Sequence, residues 1–145
     1  MSKRLRKDIV LDTNVMRLYD KPKDPKFVKL FTWIHEKGVL TVSQKLIVEY
    51  GGTSNHLIMI LISKLIREKR LNMIGKLQLS AFKADRHFNY TCNPKDIVIA
   101  HTVFLSDRKR CIAFDKNFRS DINKSKKVDS IQPCACRDPK ECCLN

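Results

Sequence analysis

Four acids of the 145-residue chain stand where side chains could do chemistry together. Asp12 follows the apolar run Ile9-Val10-Leu11, and Asp115 follows Cys111-Ile112-Ala113-Phe114. Each is therefore expected at the carboxyl end of a short strand, the edge at which open α/β sheets gather their ligands. Glu49 falls in the last turn of one expected helix and Asp96 in the first turn of another. Clustered carboxylates without histidine suit hard cations, Mg2+ or Mn2+, better than zinc. The histidines His35, His56, His87 and His101 are scattered, no two at a zinc-ligand spacing, and are expected to pack or face solvent. An ion held by the acids would activate a water and offset charge on a phosphate, which points to phosphodiester cleavage.

The segments that must position these acids alternate between strand and helix. Asp12-Thr13-Asn14 can end a strand and cap a short helix over Val15 to Tyr19. Asp24-Pro25 is a cap followed by proline, and Phe27, Leu30, Phe31 and Ile34 form an apolar stripe down to Gly38. Val39 to Val42 reads as a strand, and Ser43 caps a helix carrying Leu46, Ile47 and Tyr50 as far as Gly51-Gly52. Ser54 or Asn55 opens an apolar helix to about Lys69, Leu71 to Ile74 is a brief edge strand, and Leu77 to Phe88 a further helix. From Lys95 the residues Ile97, Val98, Ala100, Val103, Phe104 and Leu105 predict a buried helix. Cys111 to Phe114 is the next strand, and Val128 to Ile131 the last, reached across the polar stretch Lys116 to Lys127. The expected class is α/β.

Lysine and arginine number 29 against 15 acids, a net charge of +14, and so large a surplus favours a polyanionic partner, nucleic acid first. Lys64, Arg67, Lys69 and Arg70, with Arg108, Lys109 and Arg110, form the two basic patches expected to hold a nucleic-acid backbone, with steep salt dependence. The longest apolar run, Leu57 to Ile62, is too short to span a membrane, and the basic opening Lys3 to Lys7 leads into Asp8 rather than into a secretory apolar segment. The expectation is a cytoplasmic protein without a membrane partner, its cysteines reduced or on metal, with Cys92 and Cys111 as ordinary semi-buried thiols. Cys134, Cys136, Cys142 and Cys143 crowd the end of the chain. They can supply four thiolates to a structural zinc, although neither pair has the gap of a zinc knuckle; the competing reading is a reduced tail. The division expected is a folded domain over 1–131 and a cysteine-rich tail over 132–145.

Hydrophobic-Asp12-Thr13-Asn14, Glu49, Asp96-Ile97-Val98-Ile99-Ala100 and Phe114-Asp115-Lys116-Asn117-Phe118, in that order and over most of the chain, resemble the PIN-domain nucleases. The resemblance implies a three-layer α/β/α fold with a central parallel sheet, and Asp12, Glu49, Asp96 and Asp115 as metal-binding, catalytic acids. It also implies Asn14, Ser43 and Asn117 as polar supports of the site. The implied activity is a Mg2+- or Mn2+-dependent endoribonuclease acting on RNA, single-stranded or structured, as a VapC-like toxin or as an effector in defence or RNA processing. The implied partners are an antitoxin or regulatory protein and a second copy of the chain. Two features depart from the family pattern: Ala113 stands where many relatives carry threonine or serine, and the cysteine tail is foreign to it.

Each acid also has an ordinary structural reading. Asp12 and Asp96 can serve a helix amino terminus, Glu49 can be a solvated helix residue, and Asp115 a turn former. A nucleic-acid-binding module of the same fold whose catalysis has decayed is the alternative that Ala113 supports. A phosphotransferase of the haloacid dehalogenase type would need an acid where Asn14 stands.

Overall fold

The computed structural model describes residues 7–82 and 88–140. Five strands form one sheet: β1 (Asp8–Leu11), β2 (Val39–Ser43), β3 (Leu71–Ile74), β4 (Arg110–Ile112) and β5 (Cys134–Cys136). Their order is β3-β2-β1-β4-β5 and every pairing is parallel. Parallel neighbours need crossover helices, which are α1 (Thr13–Met16), α2 (Pro25–Glu36), α3 (Gln44–Gly51), α4 (His56–Arg67), α5 (Lys76–Ala81), α6 (Ile97–Leu105) and α7 (Lys116–Lys124). A 3-10 turn over Pro94–Asp96 leads into α6. The result is the expected three-layer α/β/α arrangement, a central parallel sheet flanked by helices.

Burial explains the strands. Ile9, Val10, Leu11, Leu40, Val42, Cys111 and Ile112 are buried, as residues sandwiched between two helical layers must be. The chain winds one way from β1 to β3, then returns to lay β4 on the other side of β1, so the winding reverses between β1 and β4. Ligands of doubly wound sheets bind outside the strand ends at such a reversal.

The helix starts follow the expected chemistry. Asp24 caps α2 by accepting from the Lys26 N–H at 2.9 Å with Pro25 in the first turn, Ser43 caps α3 through the Leu46 N–H at 3.5 Å, and Asn55 rather than Ser54 caps α4. Gly38 has no room for a side chain, since a Cβ there would lie 2.7 Å from the Trp33 ring.

Three expectations are corrected. Lys116–Lys124 is a helix, α7, because Phe118, Asp121 and Ile122 recur at helical spacing and face inward. The strand expected at Val128 to Ile131 is an isolated antiparallel bridge within a turn, and the last strand instead lies at Cys134–Cys136, inside the segment expected to be a tail. It forms there because Asn123 of α7 accepts from the Ala135 N–H at 2.8 Å and donates to the Ala135 carbonyl at 3.0 Å, setting that residue beside Cys111. The helix expected over Leu77 to Phe88 covers only Lys76–Ala81; residues 83–87 of that expectation lie outside the described residues.

Cys92 and Cys111 are buried. Cys136 is disulfide-bonded, which departs from the expected reduced or metal-bound state, and its sulfur lies 3.6 Å from that of Cys134. Cys142 and Cys143 lie outside the described residues. Among the described residues no helix is long and apolar enough to cross a membrane.

Candidate active site at the sheet's carboxyl edge

The four sequence-derived acids gather at one edge of the sheet. Asp12 leaves β1 directly, its backbone N–H donating to the Ile112 carbonyl of β4 at 3.1 Å, so it sits on the reversal itself. Asp115 follows β4 and caps α7, accepting from the Phe118 N–H at 2.9 Å. Asp96 closes the turn before α6, whose amino end lies at this edge because the helix must run back to reach the start of β4. Glu49 of α3 is drawn in by Thr13, whose hydroxyl donates to its Oε1 at 2.9 Å. The neighbouring Tyr50 is fully buried and its hydroxyl donates to the Leu11 carbonyl, fastening α3 to the strand end that carries Asp12.

Electrostatics show that the acids share one field. Burial, then the negative charges of Asp96, Glu49 and Asp115, push the Asp12 carboxyl up to about 6 against the bond it accepts from the Thr13 backbone. Asp96 is raised too, by burial and then by Glu49 and Asp115, with Lys45 and Lys95 opposing. Among the described residues none of the four is in an ion pair, although bases outnumber acids two to one. Unneutralised carboxylates facing one another in so basic a chain are a cost that a cation would remove.

The donor set is all hard oxygen, which fits Mg2+ or Mn2+. No three His, Cys, Asp or Glu side chains among the described residues come close enough to clamp an ion directly. The fit is therefore to a hydrated ion, touched by one or two carboxylates and reached by the others through water, as Mg2+ commonly is.

The expected supports divide. Ser43 is fully buried and works by capping the helix that carries Glu49. Asn14 and Asn117 are exposed, and among the described residues neither side chain bonds to one of the acids. Ala113 is buried, offering the site no polar group.

The basic patches are corrected. Lys64 to Arg70 precedes β3, and Arg108 and Lys109 precede β4, which Arg110 opens, so both patches lie at the amino edge of a parallel sheet, opposite the acids. Several of these side chains are also spent inside the protein. Arg70 donates to the carbonyls of Ile34, His35 and Gly38 and pairs with Glu68, which Lys64 also holds at 2.6 Å. Arg108 binds the Asp8 carbonyl and lies over the Trp33 ring, and Lys109 is buried with its ammonium on the Ser106 carbonyl at 2.9 Å. Basic side chains occur on the acid edge as Lys45 and Lys95, which with Val48, Glu49 and Asp96 line a pocket of about 400 Å3. The spacing of Lys45 one helical turn before Glu49, and the adjacency of Lys95 to Asp96, were the available signals.

A third residue that the sequence reading missed is Asp121 of α7. Burial alone would raise its carboxyl, but the Thr91 N–H and hydroxyl and the Cys92 N–H together hold it below the ordinary range. Those bonds, 2.7 to 3.0 Å long, pin the loop that enters the Asp96 turn to the helix that Asp115 caps.

No family model matches the chain, and no curated protein matches it. Among solved structures it is similar to VapBC2 from Rickettsia felis, solved bound to a DNA fragment from its promoter: TM-score 0.45 and 13% identity, covering 88% of this chain and 98% of that one. So loose a superposition carries no weight for activity.

Proposed function

We propose that this chain is a PIN-like, metal-dependent endoribonuclease that hydrolyses RNA phosphodiester bonds. The observation that carries the reading is the convergence of four unpaired carboxylates from four elements on the reversal point of the sheet, with Asp12 pushed up to about 6. When bound, Mg2+ or Mn2+ supplies the charge that lets a phosphate approach and lowers the pKa of a coordinated water. Asp12, Glu49, Asp96 and Asp115 would hold it as a hydrated ion, one or two of them directly and the others through water; Thr13 fixes the direction of Glu49, and Lys45 and Lys95 would take phosphate oxygens at the rim. The assignment of RNA as substrate rests on the charge of +14 and on the sequence resemblance.

Partners follow the same reading. Val48, Leu57, Ile60 and Ile66 of α3 and α4 are large apolar side chains 48 to 62% exposed, of which Leu57 and Ile60 lie one helical turn apart and could meet a second copy of the chain or an antitoxin. A toxin role, a role in defence or RNA processing and cytoplasmic residence belong to the proposal on sequence grounds.

The second reading, a decayed nucleic-acid-binding module, is favoured by two observations: the buried, apolar Ala113 and the lack of any three-residue clamp among the described residues. One experiment separates the two. A mixed single-stranded RNA is incubated with the protein in Mn2+, Mg2+ or EDTA, beside an Asp96→Asn variant. Metal-dependent cutting that the variant loses is the expected result; RNA bound but left intact by both proteins refutes the nuclease and leaves the module.

A further inference from the structure

Next to Asp115 in the chain, a second pocket of about 400 Å3 is lined by Asp24, Lys26, Phe27, Phe114, Arg137 and Asp138. Three chain segments build it. The amino end of α2 gives Asp24, Lys26 and Phe27, the β4–α7 connection gives Phe114, and the chain leaving β5 gives Arg137 and Asp138. The Phe27 and Phe114 rings meet edge to face, with centroids 5.8 Å apart, and make an apolar wall. Lys26 spans the pocket to Asp138 at 2.7 Å and so ties α2 to the segment after β5. Phe114 immediately precedes Asp115, so this wall starts about 3.8 Å along the chain from a candidate catalytic acid.

We infer that this pocket receives one unstacked base of the RNA strand, and that the base is guanine. The inference rests on the ribonuclease reading for the presence of RNA. Single-stranded RNA is recognised by splaying bases onto aromatic side chains and reading their edges with hydrogen bonds. The pocket offers an aromatic wall, the Asp24 carboxylate, one of whose oxygens caps α2 through the Lys26 N–H, and the Arg137 guanidinium, while Lys26 and Asp138 close the floor by pairing with each other. Guanine matches that set: its N1–H and N2 amino group are adjacent donors for the Asp24 carboxylate, while O6 and N7 are adjacent acceptors for the Arg137 guanidinium. Cytosine lacks the adjacent donors, and adenine and uracil lack both pairs. The volume lies in the ordinary range for small-ligand sites, with room for a base and part of its ribose. Seated there, a base keeps its phosphate at the edge where the acids converge.

The full chain is titrated in EDTA with 5′-GMP, AMP, CMP and UMP, followed by two-dimensional amide NMR, and its cut sites on mixed RNA are then mapped in Mn2+. GMP is expected to bind at least tenfold more tightly than UMP and to shift the Phe114, Arg137 and Asp138 amides. Arg137→Ala, which removes an exposed side chain, is expected to weaken GMP at least fivefold and to raise KM for guanine-containing RNA with kcat retained. Phe114→Leu, checked for folding by the same spectra, is expected to do likewise. Equal binding of the four nucleotides, shifts elsewhere, or no change in either variant overturns the pocket. Cutting with no base preference overturns it too while leaving the ribonuclease standing. GMP seated in the pocket of a protein that cuts nothing upholds the site and refutes the ribonuclease.

Discussion

Replacing Asp12 by asparagine is expected to make the metal-free protein more stable at neutral pH. Asparagine keeps an oxygen for the Thr13 N–H and removes only the charge. The folded chain holds this carboxyl at about 6 rather than 3.8, so it binds the proton more tightly than the unfolded chain does. The penalty is absent at a pH below both values, grows between them and is complete above 6. Unscreened, that difference is worth roughly 3 kcal/mol, and the part of the side chain that meets water reduces it to about 1–2 kcal/mol. Urea unfolding of both proteins in EDTA at pH 4 and pH 7.5 checks it: the variant should gain about 1–2 kcal/mol at the higher pH and almost nothing at the lower. Mn2+ should raise the melting temperature of the parent and not of the variant, since binding to the folded form alone stabilises it. A variant equally or less stable at pH 7.5, with no change in the difference between the two pH values, refutes the shared field of the four acids.

Lys45→Ala with Lys95→Ala should weaken RNA binding by several-fold and flatten its salt dependence, whereas Arg67→Ala with Lys69→Ala, at the opposite edge, should leave both unchanged; filter binding across a salt series decides. Asp8 is fully buried and accepts from the Thr41 hydroxyl at 2.6 Å and from the Asp107 and Arg108 N–H groups at 2.9 Å. Asp8→Ala removes that acceptor from all three and should cost about 3–5 kcal/mol in urea unfolding, far from the acid edge. Asp121→Asn loses charge-assisted bonds to Thr91 and Cys92 and should cost about 1–3 kcal/mol at pH 7. Its carboxyl is held low, so that difference should vanish as pH falls through its folded value, read as converging unfolding midpoints in acid.

Most strands and helix starts were legible because local chemistry decides them. Asp24-Pro25, Ser43 and Asn55 announce helices by capping, and Ile9 to Leu11 can only be a buried strand. The acid set was legible for a related reason: strand ends and helix ends are visible locally, and parallel pairing puts them on one edge. What failed depended on distant partners. α7 is too polar to announce itself except by the spacing of Phe118 and Ile122, and β5 exists because Asn123 receives it. Arg70 and Arg108 read as ligand-binding charge until the carbonyls that they satisfy, far away in sequence, are brought beside them, and Lys109 until the turn after α6 folds its ammonium back onto the Ser106 carbonyl.

β1 joins β4 across most of the polypeptide, Val10 lying beside Cys111 and Leu11 beside Ile112. A chain still being made can pair β1, β2 and β3 from its amino-terminal half, but that seam waits until β4 has emerged. Asp12 lies on one side of the seam and Asp115 on the other. A half-synthesised or prematurely ended product therefore carries no assembled acid set. If the finished protein cuts RNA, the message and ribosome that produce it are exposed to that activity only at the end of each round of synthesis.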